Sequence, residues 1–289
     1  DIASWLHDGQ LLVLRSTVYP GVTALVERLV TDLGLDIDVA FCPERIAEGK
    51  AMVELFELPQ IVASRSPRAL ERAGKLFSAL AHDIVTLEPE EAELAKLFTN
   101  TWRYIKFAAS NQLYMMANDF GLDFERIRQA IVYDYPRAAD MPRAGFAAGP
   151  CLFKDTMQLA AFNDNKFVLG HSAMLVNEGM PLYVVSKMGE RFPDLSELTV
   201  GILGMAFKAE SDDPRDSLSY KLRKLLKMQA RHVLCADPYV PDATLVSQER
   251  VIEESQVLFI GTPHRRYRSL HLPADKVVVD VWSCLGRDR

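Results

Sequence analysis

Short apolar runs bounded by turn residues alternate with stretches of helical spacing over the first third of the chain. Leu11–Leu14 (LLVL) reads as a strand ending at Arg15-Ser16-Thr17, with Pro20-Gly21 just beyond. Val22–Leu33 has helical spacing and stops at Gly34, a residue suited to helix C-termini. Asp38–Phe41, Gln60–Ala63 and Asp83–Leu87 are predicted as further strands, and Ser66–Leu80 as a helix with Pro67 in its first turn. Alternating β and α predicts a parallel sheet in an α/β domain over residues 1–87. A dinucleotide-binding half begins with a strand and a GxGxxG turn, and neither stands before residue 11. The chain is instead expected to open inside a helix, Asp1–Leu6, and this domain to be incomplete at its front.

Residues 88–121 carry the longest helical signal. Pro89-Glu90-Glu91 makes a good first turn, apolar positions recur from Leu94 and Leu97 to Leu113 and Met116, and Gly121 is a natural stop. About thirty residues at ~1.5 Å each span ~45 Å, more than a small domain needs, which predicts a connector that carries a dimer interface. A short helix capped by Asp123 runs to Ile131, residues 134–149 are loop-like, and 156–190 read as helix broken near Gly170 and Gly179. From residue 195 the α/β pattern restarts. Strands are expected at Leu198–Leu203, Val233–Ala236, Val257–Gly261 and Lys276–Val281, with a helix from Ser217 to about Met228. The expected organisation is therefore an α/β region at 1–87, a central helical region at 88–194 and a second Rossmann-like α/β region at 195–289.

The chain has 289 residues, 49% hydrophobic and 25% charged, which is ordinary for a globular protein. A net charge of -6 argues against a polyanionic partner such as nucleic acid. No apolar run is long enough to span a bilayer. Cys42, Cys151, Cys235 and Cys284 lie far apart without a CxxC pair. That spacing argues against a zinc site or a disulfide scaffold and fits a reducing cytoplasm. The six histidines are scattered singly, so no metal site is expected.

Candidate chemistry centres on Gly145–Leu159 (GFAAGPCLFKDTMQL), where a glycine-rich loop delivers Cys151 to the start of a helix. A helix beginning near Pro150 would place Cys151 and Asp155 on one face. A thiol at a helix N-terminus tends toward the nucleophilic thiolate, whereas a free cysteine is also commonly a small buried hydrophobe. Arg15–Gly21 (RSTVYPG) sits at a strand's carboxyl end, where open α/β sheets bind ligands, and also reads as a simple capping turn. Cys42–Gly49 (CPERIAEG) brings two carboxylates and an arginine to a sheet edge, or forms a solvated charged loop. Lys96 and Asn100 are four apart on one helix face. Lys208 and Arg215 near a helix start suit phosphate oxygens, and equally read as solvated cations.

The segments RSTVYPG, CPERIAEG, KLFTN, GFAAGPCLFKD and GILGMAFKAESDDPRDS, in that order, resemble the UDP-sugar 6-dehydrogenases of the UDP-glucose/GDP-mannose dehydrogenase family. The resemblance covers essentially the whole chain. It implies an NAD-binding Rossmann domain, a central helical domain with a dimer-forming helix, and a UDP-binding domain. The implied reaction oxidises the C6 alcohol of a UDP-sugar to a carboxylate with two NAD. Cys151 is then the nucleophile that forms a thiohemiacetal and a thioester. Lys96 and Asn100 hold the oxyanion, Asp155 positions or activates the thiol and water, Glu44 assists hydrolysis and Thr17 places water. Glu48, Arg45, Phe146, Gly149, Lys208 and Arg215 are implied at the substrate, and Ser16, Thr17 and Glu48 at the cofactor. CPER and STVYPG resemble the UDP-N-acetylhexosamine branch, while Glu48-Gly49 and Lys154-Asp155 resemble the UDP-glucose branch. A glycan-pathway role follows by the same resemblance. Two other readings fit parts of the pattern. One is a single-hydride dehydrogenase of the 6-phosphogluconate type, and the other a non-catalytic chain that dimerises and binds UDP-sugar.

Overall fold

The computed structural model describes residues 2–286. The chain divides into two units, one comprising Asp1–Thr101 and Asp155–Lys166, the other Trp102–Lys154 and Phe167–Arg289.

The first unit is built on a four-stranded sheet of β1 (Leu11–Leu14), β2 (Asp38–Phe41), β3 (Gln60–Ala63) and β4 (Ile84–Leu87), adjacent in that order. β1 and β2 are parallel, as are β3 and β4, but β2 and β3 run antiparallel through the single pair Phe41–Ala63. The expectation of a wholly parallel sheet is corrected here. The 42–59 connection, with its seven-residue helix α2 (Ala51–Glu57), returns to the strand end it left instead of crossing the sheet. Period-two alternation divides the core. Ala40, Cys42 and Val62 pack with Ala73 and Phe77 of α3 (Pro67–Phe77), whereas Phe41, Ile61 and Ala63 pack with Ala92. Burial pushes the Cys42 thiol up to about 11, keeping it inert. α1 (Val22–Asp32) is capped from a distance, because the fully buried Glu93 carboxylate accepts from the Gly21 and Thr23 N–H groups and the Thr23 hydroxyl, each at 2.7 Å. The chain opens with a 3-10 turn at Ala3–Trp5; Asp1 of the expected opening helix lies outside the described residues.

α4 (Pro89–Asp119) is one continuous helix of 31 residues, about 46 Å at 1.5 Å per residue. It is followed by α5 (Phe124–Val132), capped by Asp123 as expected. The helical stretch after the cysteine loop is interrupted elsewhere than the sequence suggested. α6 (Leu152–Phe162) and α7 (Val168–Arg191) are separated at Asp164 and Asn165, both with positive φ. α7 runs unbroken through Gly170, Gly179 and Pro181, because burial of Met180, Val184, Val185 and Met188 outweighs the poor helix propensity of those residues.

The second unit carries the other sheet, of β5 (Thr199–Leu203), β6 (His232–Ala236), β7 (Val257–Ile260) and β8 (Val277–Val279), in the order β6-β5-β7-β8 and parallel throughout. One face packs Val200, Ile202 and Phe259 against α7 residues and against Leu222 and Leu226 of α8 (Leu218–Leu226). The opposite face packs Leu203, Leu258 and Ile260 against Val251 of α9 (Gln248–Glu254) and against Tyr267.

Candidate active and nucleotide-binding site

In the first unit the long helix and α6 meet through a buried polar pair. Asn100 (6% exposed) donates from Nδ2 to Oδ2 of Asp155 (1% exposed) at 2.5 Å. Lys96 is half-buried one turn earlier on the same helix. A primary amide carries two donor hydrogens, so the bond to Asp155 leaves Asn100 one more to offer.

The loop beyond β1 leaves Ser16 exposed and Thr17 half-buried. Beside it, the Arg15 guanidinium is ion-paired to Glu44 and lies 4.8 Å from the Phe77 ring centroid. The Ile46 N–H donates to Glu44 Oε1 at 2.8 Å. Burial works against ionisation of Glu44, but the Ile46 N–H and the Arg15 guanidinium outweigh it and hold the carboxyl below the usual range. Arg45 donates to the Pro59 carbonyl, and Glu48 faces solvent. The two carboxylates of CPERIAEG thus differ in exposure, Glu44 being half-buried against an arginine and Glu48 exposed.

In the second unit Cys151 is exposed in the turn immediately before α6, whose first helical residue is Leu152. The expected helix start near Pro150 is therefore corrected by two residues. Cys151 stands immediately ahead of the helix and is exposed, whereas Asp155 in its first turn is buried.

The glycine loop ahead of the cysteine is pinned at both ends. The Gly145 N–H donates to Asn111 Oδ1 at 2.9 Å, Asn111 Nδ2 donates to Asn177 Oδ1 at 2.9 Å, and Asn177 Nδ2 donates to the Tyr104 carbonyl at 3.0 Å. Both asparagines are fully buried. A Cβ on Gly145 would lie 2.2 Å from Trp282, and one on Gly149 would lie 2.5 Å from the Phe207 ring. Phe146 is 3% exposed and packs edge-on to Trp282 at 6.4 Å, so the structure places it in the core.

Lys208 follows the turn after β5, its Nζ 5.2 Å from the Phe207 ring centroid. Arg215 is exposed and chelated by Asp213, Nε to Oδ1 at 3.0 Å and Nη2 to Oδ2 at 2.7 Å.

A cluster the sequence did not announce holds this turn. The wholly buried Asp237 carboxylate accepts from the N–H groups of Met205 (2.6 Å), Ala206 (3.0 Å), Tyr239 (2.8 Å) and Val240 (3.1 Å), and faces His264 Nε2 at 3.1 Å. The Glu210 N–H donates to His264 Nδ1 at 3.0 Å, so the histidine carries its proton on Nε2 and gives it to Asp237. Burial opposes the Asp237 charge, yet the histidine and the backbone N–H groups win and lower its pKa to about 2. The Ser217 and Thr262 hydroxyls both donate to the Ala206 carbonyl. The only sequence signal was Asp237-Pro238 at a strand end, which reads as a turn. Among the described residues no group of three His, Cys, Asp or Glu side chains is placed to hold a metal.

Each unit thus carries its own four-stranded α/β sheet, and a glycine loop in the second presents an exposed cysteine. Residues 1–81, 90–178 and 201–287 match respectively the NAD binding, central and UDP binding domains of the UDP-glucose/GDP-mannose dehydrogenase family, and the chain belongs to that family. It is 30% identical over 281 residues to a UDP-N-acetyl-D-mannosamine dehydrogenase of Pyrococcus horikoshii, covering 93% of this chain and 66% of that one. It is 25% identical over 308 residues to an NDP-N-acetyl-D-galactosaminuronic acid dehydrogenase of Ralstonia solanacearum, covering 98% and 73%. Among solved structures, the UDP-D-ManNAc dehydrogenase of Pyrococcus horikoshii superposes with a TM-score of 0.89 at 28% identity, covering 96% of this chain and 70% of that one. A UDP-glucose dehydrogenase of Pyrobaculum islandicum gives 0.87 at 29%, covering 95% and 68%. The chain spans about two thirds of the length of these relatives.

Proposed function

We propose that this protein oxidises the C6 alcohol of a UDP-sugar to the uronic acid, forming covalent intermediates on Cys151. The observation that carries the reading is an exposed cysteine at the head of α6, in a chain matching all three domains of the family. NAD, when bound, would accept one hydride, so two NAD in turn would take the two hydrides that leave the sugar carbon. Ser16 and Thr17, beyond the carboxyl end of a sheet strand, and the exposed Glu48 are the residues that suit it.

The remaining chemistry belongs to side chains of this chain. An aldehyde has no carbinol hydrogen to give up as hydride until a nucleophile adds to it. The Cys151 thiolate supplies that addition and forms a thiohemiacetal, whose oxidation leaves a thioester. Water then cleaves the thioester, freeing the carboxylate and regenerating the thiol. Lys96 and the remaining Asn100 donor stabilise the oxyanion of these steps. Asp155, held by Asn100, orients the reacting groups. Glu44, kept ionised by Arg15, and Thr17 orient water. Lys208 and Arg215 take the diphosphate, with Arg45, Glu48 and Gly149 completing the substrate surroundings.

Similarity to a UDP-N-acetyl-D-mannosamine dehydrogenase and to a UDP-glucose dehydrogenase puts UDP-N-acetyl-D-mannosamine and UDP-glucose at the head of any substrate panel. The long helix exposes Phe98, Trp102 and Met116, each more than half exposed, and this apolar surface supports the reading of a homodimer formed through it. The decisive experiment is NADH yield per sugar consumed. Two NADH per sugar are expected, and one NADH per sugar would reject the covalent route. Cys151→Ala is expected to lower uronate formation by on the order of 10³-fold or more.

A further inference from the structure

The Phe207 ring occupies the space a side chain at residue 149 would need. A Cβ on Gly149 would fall 2.5 Å from Cδ2 and 2.7 Å from Cε2 of that ring, and Gly149 stands two residues before Cys151. The neighbouring Lys208 ammonium lies 5.2 Å from the same ring's centroid. The backbone that carries the ring is held from behind. The Phe207 N–H donates to the Asp213 carbonyl at 3.0 Å, while the preceding Met205 and Ala206 N–H groups are gripped by Asp237. The Ala206 carbonyl is held by Ser217 and Thr262. The turn therefore presents one aromatic face to the glycine loop, with the Lys208 ammonium beside it.

We infer that Phe207 is a positioning residue for Cys151: its ring seats the Gly149 end of the loop, and a diphosphate engaging Lys208 tightens that seat. The second half rests on the proposed nucleotide site, and the first half stands without it. The mechanism is contact between a ring and a backbone too close for any side chain, so the effect on the thiol is local.

The test is the alkylation rate of each cysteine by iodoacetamide, read by peptide mass spectrometry on the full chain, with and without saturating UDP. Calorimetry reports UDP binding in parallel. Cys42 and Cys235 are buried with thiols pushed up to about 11, so they serve as internal references for general opening. Phe207→Ala is expected to speed Cys151 alkylation at least ~3-fold without moving the references, as a locally released loop would. Phe207→Tyr keeps the contacting ring atoms and is expected to restore the wild-type rate. In wild type UDP is expected to slow Cys151 by at least ~2-fold, and in Phe207→Ala to bind without slowing it.

An unchanged Cys151 rate in Phe207→Ala, or a parallel rise at Cys42 and Cys235, overturns the seat. UDP that binds both proteins and slows Cys151 equally overturns the link to Lys208. Failure of wild type to bind UDP rejects the nucleotide site and with it that link, while the ligand-free rates still decide the seat.

Discussion

At the residue scale the molecule relies on carboxylates that are fixed in the charged form. Asp237 shows the thermodynamic consequence. Its pKa falls from an ordinary 3.8 to about 2, so the stabilisation is fully present above pH ~4 and is lost as pH falls through about 2. At 1.36 kcal/mol per unit this amounts to about 2 kcal/mol. Asp237→Asn should therefore lower the thermal midpoint at neutral pH, and the gap to wild type should close as pH is taken from 4 toward 2 in calorimetric scans. Glu44, also held below its ordinary range, stays ionised through neutral pH. Glu44→Gln should lower kcat without changing the shape of the pH–rate profile between about pH 6 and 9, because no proton leaves or joins Glu44 there. A limb of the profile that disappears in the variant would show instead that Glu44 is the titrating base. The spaced motifs KLFTN and GPCLFKD singled out Asn100 and Asp155, which the structure joins in a buried hydrogen bond. Glu93, Asp237 and His264 were not legible in the sequence, because most of their partners are backbone N–H groups or one another, many of them brought in from 27 to 72 residues away.

At the element scale, period-two and helical spacing located the strands and the long helix within a residue or two, since each buries one face or both. The reversal between β2 and β3 left no such mark, because a buried strand's pattern is indifferent to direction. The seven-residue helices α2 and α9 are too short to show a period. Gly170 and Gly179 misled because propensity is weaker than burial in α7. That error is testable. A Cβ at Gly179 meets nothing within 4 Å, so Gly179→Ala should stabilise by ~0.5–1 kcal/mol, seen as a higher thermal midpoint. Ser217 caps α8 through the Ser219 N–H and also donates to the Ala206 carbonyl. Ser217→Ala should therefore cost more than an isolated cap, ~1–3 kcal/mol in denaturant titration.

At the scale of the whole molecule, the apolar surface of the long helix predicts self-association. Sedimentation velocity should give a dimer, and Trp102→Glu, at a position 58% exposed, should shift it toward monomer without lowering the thermal midpoint of the monomer. No helix among the described residues is long and apolar enough to cross a membrane. A net charge of -6 repels an anionic nucleotide at long range, so attraction must be local. The grip of Asp237 on the β5 turn decides what form that attraction takes. Many phosphate sites cradle the anion in a nest of main-chain amides, which salt hardly weakens. Here the Met205 and Ala206 amides already hold an internal anion, the Asp237 carboxylate, and have nothing left for an external one. The diphosphate site proposed at this turn would then rest on side-chain cations, the Lys208 ammonium and the Arg215 guanidinium that Asp213 chelates. UDP affinity should accordingly decay steeply as potassium chloride is raised, in the manner of an ion-exchange resin and not of a phosphate-binding loop.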